Sequence, residues 1–103
     1  MPPLPVAVSR EHNTVTLHPS GEIDHETAPA LTGAVREAEG ELRGLVVDLS
    51  EVSFMDSAGL HALIALEHHC RERGARLDLA GARDQPARLL DLVRLAGIFT
   101  LAG

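Results

Sequence analysis

The sequence predicts an α/β fold: one domain with elements in the order ββαβαβαβ, a mixed sheet carrying its helices mainly on one face. Three observations lead there. Short strand-like runs interleave with stretches whose apolar residues recur at helical spacing. A nearly continuous apolar run at 45–49 and an alternating one at 76–80 flank a long helical stretch, the pattern of a parallel crossover. The chain has 103 residues, enough for a single domain over 1–103 that buries roughly 60–70% of the surface its unfolded chain exposes.

The elements follow in order. Residues 1–5, rich in proline, are expected to be flexible. Val6-Ala7-Val8-Ser9 and Thr14-Val15-Thr16-Leu17-His18 have strand character, and Glu11-His12-Asn13 between them reads as a hairpin turn. Gly21 to Thr27 reads as a polar loop. A helix is expected from Ala28 to Ala38, with Thr27 as N-cap, Pro29 in the first turn, and Leu31, Ala34, Val35 and Ala38 as its buried stripe. Gly40 ends it. Leu45-Val46-Val47-Asp48-Leu49 fits a strand covered on both faces, and Ser50 to Phe54 connects it to the next turn. A second helix is expected from Ser57 to Glu72 with Leu60, Leu63, Leu66 and Cys70 inward. Arg76-Leu77-Asp78-Leu79-Ala80 alternates as a strand. Asp84 is read as the cap of a third helix with Pro86 in its first turn, Leu89, Val93 and Ala96 inward and Gly97 at its end. Ile98-Phe99-Thr100-Leu101 is expected as a last short strand.

Composition excludes several roles. The net charge is −6 and there are two Phe with no Trp or Tyr, so nucleic acid and anionic membranes are poor partners and base-stacking platforms are lacking. The single cysteine, Cys70, rules out an internal disulfide and fits a reducing compartment. No apolar run reaches the roughly 20 residues of a membrane span, and the N-terminus lacks the basic and apolar regions of a signal peptide. A soluble cytoplasmic protein is expected.

The chemistry concentrates in Asp56-Ser57-Ala58-Gly59-Leu60, where a strand-to-helix turn is expected. Ser57 falls at or beside the helix N-cap, where a hydroxyl can satisfy a free N–H. A helix N-terminus also tolerates an added phosphate. Gly59 is expected to leave room for an approaching partner. These features alone fit an ordinary N-cap serine.

At these residues the sequence resembles the STAS domain of anti-sigma factor antagonists, across essentially the whole chain. The resemblance rests on Gly21-Glu22-Ile23-Asp24, Ala28-Pro29, the run Val52-Ser53-Phe54-Met55-Asp56-Ser57-Ala58-Gly59-Leu60, and Leu89, Leu95, Ala96, Gly97 and Ile98. It implies a partner-switching cycle serving stress-response or sporulation transcription. The unmodified protein binds an anti-sigma factor, itself a serine kinase of the histidine-kinase-like ATPase fold, and frees the sigma factor. Phosphorylation at Ser57 turns binding off, and a metal-dependent serine phosphatase restores it. The implied binding surface is Asp24, His25, Asp56, Ser57, Ala58, Gly59 and His61. The family pattern has Ser or Thr where this chain has Ala58, so Ser57 is the only hydroxyl of the turn. The alternative within the family is a constitutive docking module, such as the STAS subunit of a lipid-transport ATPase.

Other readings are weaker. His61 lies one turn beyond Ser57 and, protonated, would partly neutralise a phosphate there; the plain alternative is an exposed polar residue. His68, His69 and Cys70 are consecutive and point in different directions on a helix, and no His pair has the i,i+4 spacing of a metal site. A hydrolase nucleophile elbow needs Gly two residues before and after the serine; Gly59 fits and Met55 does not. No catalysis, cofactor or metal is expected. Arg83, Arg88 and Arg94 are read as a solvated helix face.

Overall fold

The computed structural model describes residues 4–37 and 40–95. Its elements are β1 (Val6–Glu11), β2 (Thr14–Pro19), β3 (Gly21–Ile23), α1 (Pro29–Glu37), β4 (Gly44–Asp48), β5 (Val52–Met55), α2 (Ser57–Glu72), β6 (Arg76–Ala80) and α3 (Asp84–Leu95). The expected strand at 98–101, with Ala96 and Gly97 before it, lies outside the described residues.

Four strands form a mixed sheet in the order β1-β2-β4-β6. The hairpin β1–β2 is antiparallel, while β2–β4 and β4–β6 are parallel. The register stacks like on like. Val15, Leu45 and Leu77 line up across three strands, as do Leu17, Val47 and Leu79. Because side chains alternate along a strand, this puts one apolar face toward the helices. Among the described residues the opposite face is left open: Thr16, Val46 and Asp78 lie in register on it, and none of the three is buried. The expectation that 45–49 is covered on both faces is therefore corrected. Val46 sits among polar neighbours on the open side, and its apolar character hides the alternation in the sequence.

The helices supply the other layer. α1 packs on β1 and β2, α2 on β5 and β6, and α1 and α2 touch each other. α1 turns Leu31 and Val35 inward, four residues apart on one face. α2 buries Gly59, Ala62, Leu63, Leu66 and Cys70. Leu60, expected in that stripe, is only partly buried. α3 buries Pro86, Leu90 and Val93; of the expected stripe Val93 is buried, Leu89 is partly buried against the core, and Ala96 lies outside the described residues.

Two segments expected to be loops are strands. β3 and β5 pair in parallel as a separate two-stranded sheet. β3 has three residues, and β5 buries Val52 and Met55 while exposing Ser53 and Phe54. Neither shows a two-residue period, so neither carries a strand signature of its own; each is a strand because the other is beside it. The chain leaves β2 for β3 through Gly21, at φ +107°, a backbone region where a Cβ is strongly disfavoured. The Gly21 N–H donates to the Glu51 carbonyl (3.0 Å), which ties the start of β3 to the segment before β5.

Truncating the shared core has a predictable cost. Leu63 is fully buried between the layers. Leu63→Ala is expected to lower stability by about 2–5 kcal/mol, and Thr16→Ala on the open face by no more than about 0.5 kcal/mol. Urea unfolding of the two variants beside wild type measures both.

Candidate functional site

The site begins where β3 and β5 end. Ile23 and Met55 are register partners and both are fully buried. The residues that follow, Asp24 and Asp56, therefore leave the pair side by side at the carboxyl ends of parallel strands, where α/β folds place their binding sites. The Asp56 N–H donates to the Ile23 carbonyl (3.2 Å), extending the pairing by one bond and holding Asp56 extended, at φ −104° and ψ −170°.

That backbone shape suits an N-cap. Oδ1 of Asp56 accepts from the N–H groups of Ala58 (2.9 Å) and Gly59 (3.1 Å), and the Asp56 carbonyl takes the first helical bond, from Leu60 (3.0 Å). The cap is thus Asp56, which corrects the reading of Ser57 as the capping hydroxyl. Ser57 is the first residue of α2, and its side chain is exposed.

Asp24 does the same work on the neighbouring loop. Its Oδ1 accepts from the N–H groups of Glu26 and Thr27, both at 3.0 Å. The Asp24 N–H donates to the Thr27 hydroxyl (2.9 Å), and that hydroxyl donates to the Glu22 carbonyl (2.8 Å). Thr27 was expected to cap α1. Instead its buried hydroxyl staples the 24–27 turn to β3, and α1 starts at Pro29. The Thr27 N–H, more than any other group, holds the Asp24 carboxyl below its ordinary range, with the Thr27 hydroxyl, the Glu26 N–H and His25 adding to it and burial opposing.

Gly59 is buried, which corrects the expectation that it opens space for a partner. A Cβ there would meet Met55 Cγ at 2.6 Å and both Ile23 Cγ2 and the Ile23 carbonyl oxygen at 2.9 Å. The missing side chain lets α2 settle onto β3 and β5, so the room it leaves is already filled from inside.

The structure also brings in a residue from α3. The Gln85 amide spans the backbone of Met55: Oε1 accepts from the Met55 N–H (2.9 Å) and Nε2 donates to the Met55 carbonyl (2.7 Å). Gln85 thereby replaces a neighbouring strand at the residue before Asp56. Nothing at Gln85 in the sequence signals this, because its partner is 30 residues away.

The remaining expected residues sort by position. Asp24, Asp56 and Ala58 are half-buried at the rim, and His25 is exposed beside Asp24. His61 is exposed one turn after Ser57 and lines a shallow groove of about 480 Å³ with Ile64, Ala65, His68, His69 and Glu72. Among the described residues no three His, Cys, Asp or Glu side chains are grouped to hold a metal ion. Burial pushes the Cys70 thiol up to about 11, which keeps it protonated and unreactive. No helix among the described residues is long and apolar enough to cross a membrane.

A sheet of this order, beside a separate parallel pair that ends in an aspartate-capped helix opening with a serine, defines a class. Residues 5–102 match the family model of the STAS domain. The chain belongs to the STAS-domain family of anti-sigma factor antagonists. It is 34% identical over 94 residues to the anti-sigma-B factor antagonist of Listeria monocytogenes, spanning 89% of this chain and 82% of that protein. It is 28% identical over 97 residues to the anti-sigma-B factor antagonist of Bacillus subtilis, spanning 94% of this chain and 89% of that one. The crystal structure of an anti-sigma factor antagonist from Mycobacterium paratuberculosis superposes with a TM-score of 0.77 at 29% identity, over 95% of this chain and 84% of that chain. Unphosphorylated SpoIIAA shares the fold, with a TM-score of 0.78 at 18% identity over 96% of this chain and 89% of that chain.

Two measurements check this geometry. Asp56→Ala should cost about 0.5–2 kcal/mol through the lost cap, while Ser57→Ala should change stability by no more than about 0.5 kcal/mol; chemical denaturation separates them. Asp24 has a folded-state pKa below its ordinary 3.8, so the unfolded chain binds its proton first as pH falls. Its contribution is present above that value and lost as pH drops through the folded pKa. Asp24→Asn should therefore show a flatter fall of stability below about pH 4, read as urea midpoints across the acid range.

Proposed function

We propose that this protein binds an anti-sigma factor while Ser57 carries a free hydroxyl, and lets it go when Ser57 is phosphorylated. The carrying observation is the division of work at the turn. Asp56 satisfies the N–H groups of Ala58 and Gly59, so the exposed Ser57 hydroxyl is spare. A switch residue needs that freedom: it must be modifiable without unwinding the helix that presents it.

The proposed partner is a serine kinase of the ATPase fold that uses ATP. Oγ of Ser57 attacks the γ-phosphorus, the bond to the ADP oxygen breaks, and the hydroxyl proton passes to a base on the kinase. A metal-dependent serine phosphatase would return the hydroxyl. The role asks no catalysis of this chain and places the cycle in the cytoplasm. The resemblance of the Asp56–Leu60 turn and the similarity to anti-sigma factor antagonists of Listeria monocytogenes and Bacillus subtilis support this reading. Ala58 lacks a hydroxyl, so one site carries the modification.

The consequence of the phosphate is electrostatic. It adds about −1.5 to −2 charges to a chain already at −6. At the start of α2 it meets the positive end of the helix dipole, so the fold should tolerate it. Toward a partner it deepens a rim that already carries Asp24 and Asp56, and it would face the partner's own nucleotide phosphates.

Incubation with the candidate anti-sigma factor and ATP should add one phosphate to wild type and none to Ser57→Ala, by intact-mass spectrometry. Ser57→Ala should remain bound, and the phosphorylated protein should bind at least about tenfold more weakly, some 1.4 kcal/mol. Equal binding of the phosphorylated protein and Ser57→Ala would sink the reading.

A further inference from the structure

Two groups hold the turn that precedes Ser57, and they come from opposite sides. From β3, the Ile23 carbonyl takes the Asp56 N–H (3.2 Å). From α3, the Gln85 amide takes both polar groups of Met55, at 2.9 and 2.7 Å. The second contact is shorter and two-pronged, and it is made by a side chain on α3, 30 residues further along the chain. α3 packs on β5, and Pro86, the next residue, is fully buried, so the root of Gln85 is itself fixed. A side-chain amide is one of the few groups able to do this. It offers one acceptor and donors in a plane, matching a backbone N–H and C=O. A carboxylate at the same place could accept from the Met55 N–H and would leave the carbonyl without a donor.

We propose that Gln85 is a positioning residue for Ser57, holding the end of β5 so that the hydroxyl is presented in the geometry a kinase reads. This rests on the phosphorylation reading above. Ser57 lies two residues beyond the clamped Met55, with Asp56 between them committed to the helix cap. A shift of the Met55 peptide therefore carries the hydroxyl with it. Phosphoryl transfer depends on in-line placement of the attacking oxygen, and misplacement by about 1 Å can cost on the order of a hundredfold. In transfer from ATP, Ser57 Oγ forms the new bond to phosphorus as ADP leaves; Gln85 touches none of the reacting atoms.

The test uses the full chain, the candidate anti-sigma factor kinase and ATP. Gln85→Met keeps length and removes both hydrogen bonds, and Gln85→Glu keeps the acceptor alone. Val35→Ala, in α1 and away from the turn, serves as a destabilised control. Expected are a fall of about tenfold or more in kcat/KM for Gln85→Met, a smaller fall for Gln85→Glu, and a change within about twofold for Val35→Ala. Amide hydrogen exchange at Met55 should speed up in Gln85→Met relative to its neighbours in β5. Unchanged kcat/KM in Gln85→Met, or an equal fall in Val35→Ala, would overturn the proposal. Should wild type take no phosphate, the phosphorylation reading fails, and Gln85 as a positioning residue for that transfer fails with it. The Met55 exchange rate then separates a real clamp without a kinase from no clamp at all.

Discussion

Much of this molecule depends on how closely the first turn of α2 lies on Ile23 and Met55. Those two side chains are fully buried and occupy the space that any Cβ at residue 59 would need, at 2.6 Å from Met55 and 2.9 Å from Ile23. That close approach, possible only without a Cβ at residue 59, joins the small β3–β5 pair to the main helical layer. It also sets the height of the α2 N-terminus above the strand ends, and with it the place of Asp56 and Ser57. The interior of a protein packs at nearly crystalline density, so this contact leaves the turn little freedom to drift.

On that base the two aspartates act alike. Each follows a strand of the same parallel pair, and each spends one carboxylate oxygen on two consecutive backbone N–H groups. Each therefore shapes a turn and leaves negative charge at the rim. Ser57 stands beside them with its hydroxyl uncommitted. Under the proposed switch, the side chain that stabilises and the side chain that is modified are separate residues, so a phosphate on Ser57 would leave the Asp56 cap in place.

The parts legible in the sequence are those whose signal is local. The strands at 14–19 and 76–80 alternate visibly, and the helix from Ser57 to Glu72 is bounded by a turn on one side and Gly74 on the other. β3 and β5 were hidden because three and four residues are too few to show a period. Val46 obscured the open sheet face, since an apolar side chain there looks like core. Thr27 was legible as a hydroxyl near a helix start, but its partner is the Glu22 carbonyl, five residues back in the chain. The role of Gly59 is hidden in the sequence for a similar reason. A glycine in a turn looks like an opening until its neighbours from another strand are seen to fill the gap.

The sequence by itself determined the class of fold, the family through its Gly21–Asp24 and Val52–Leu60 segments, and Ser57 as the hydroxyl of interest. These rest on residue identity and short spacing, which a linear chain displays in full. Tertiary structure decided which residue caps α2, which way Gly59 faces, that residues 21–23 and 52–55 are strands, and that Gln85 holds Met55. All four depend on groups brought together by packing. A hydrogen bond between residues 30 positions apart leaves no mark on either one in the linear chain.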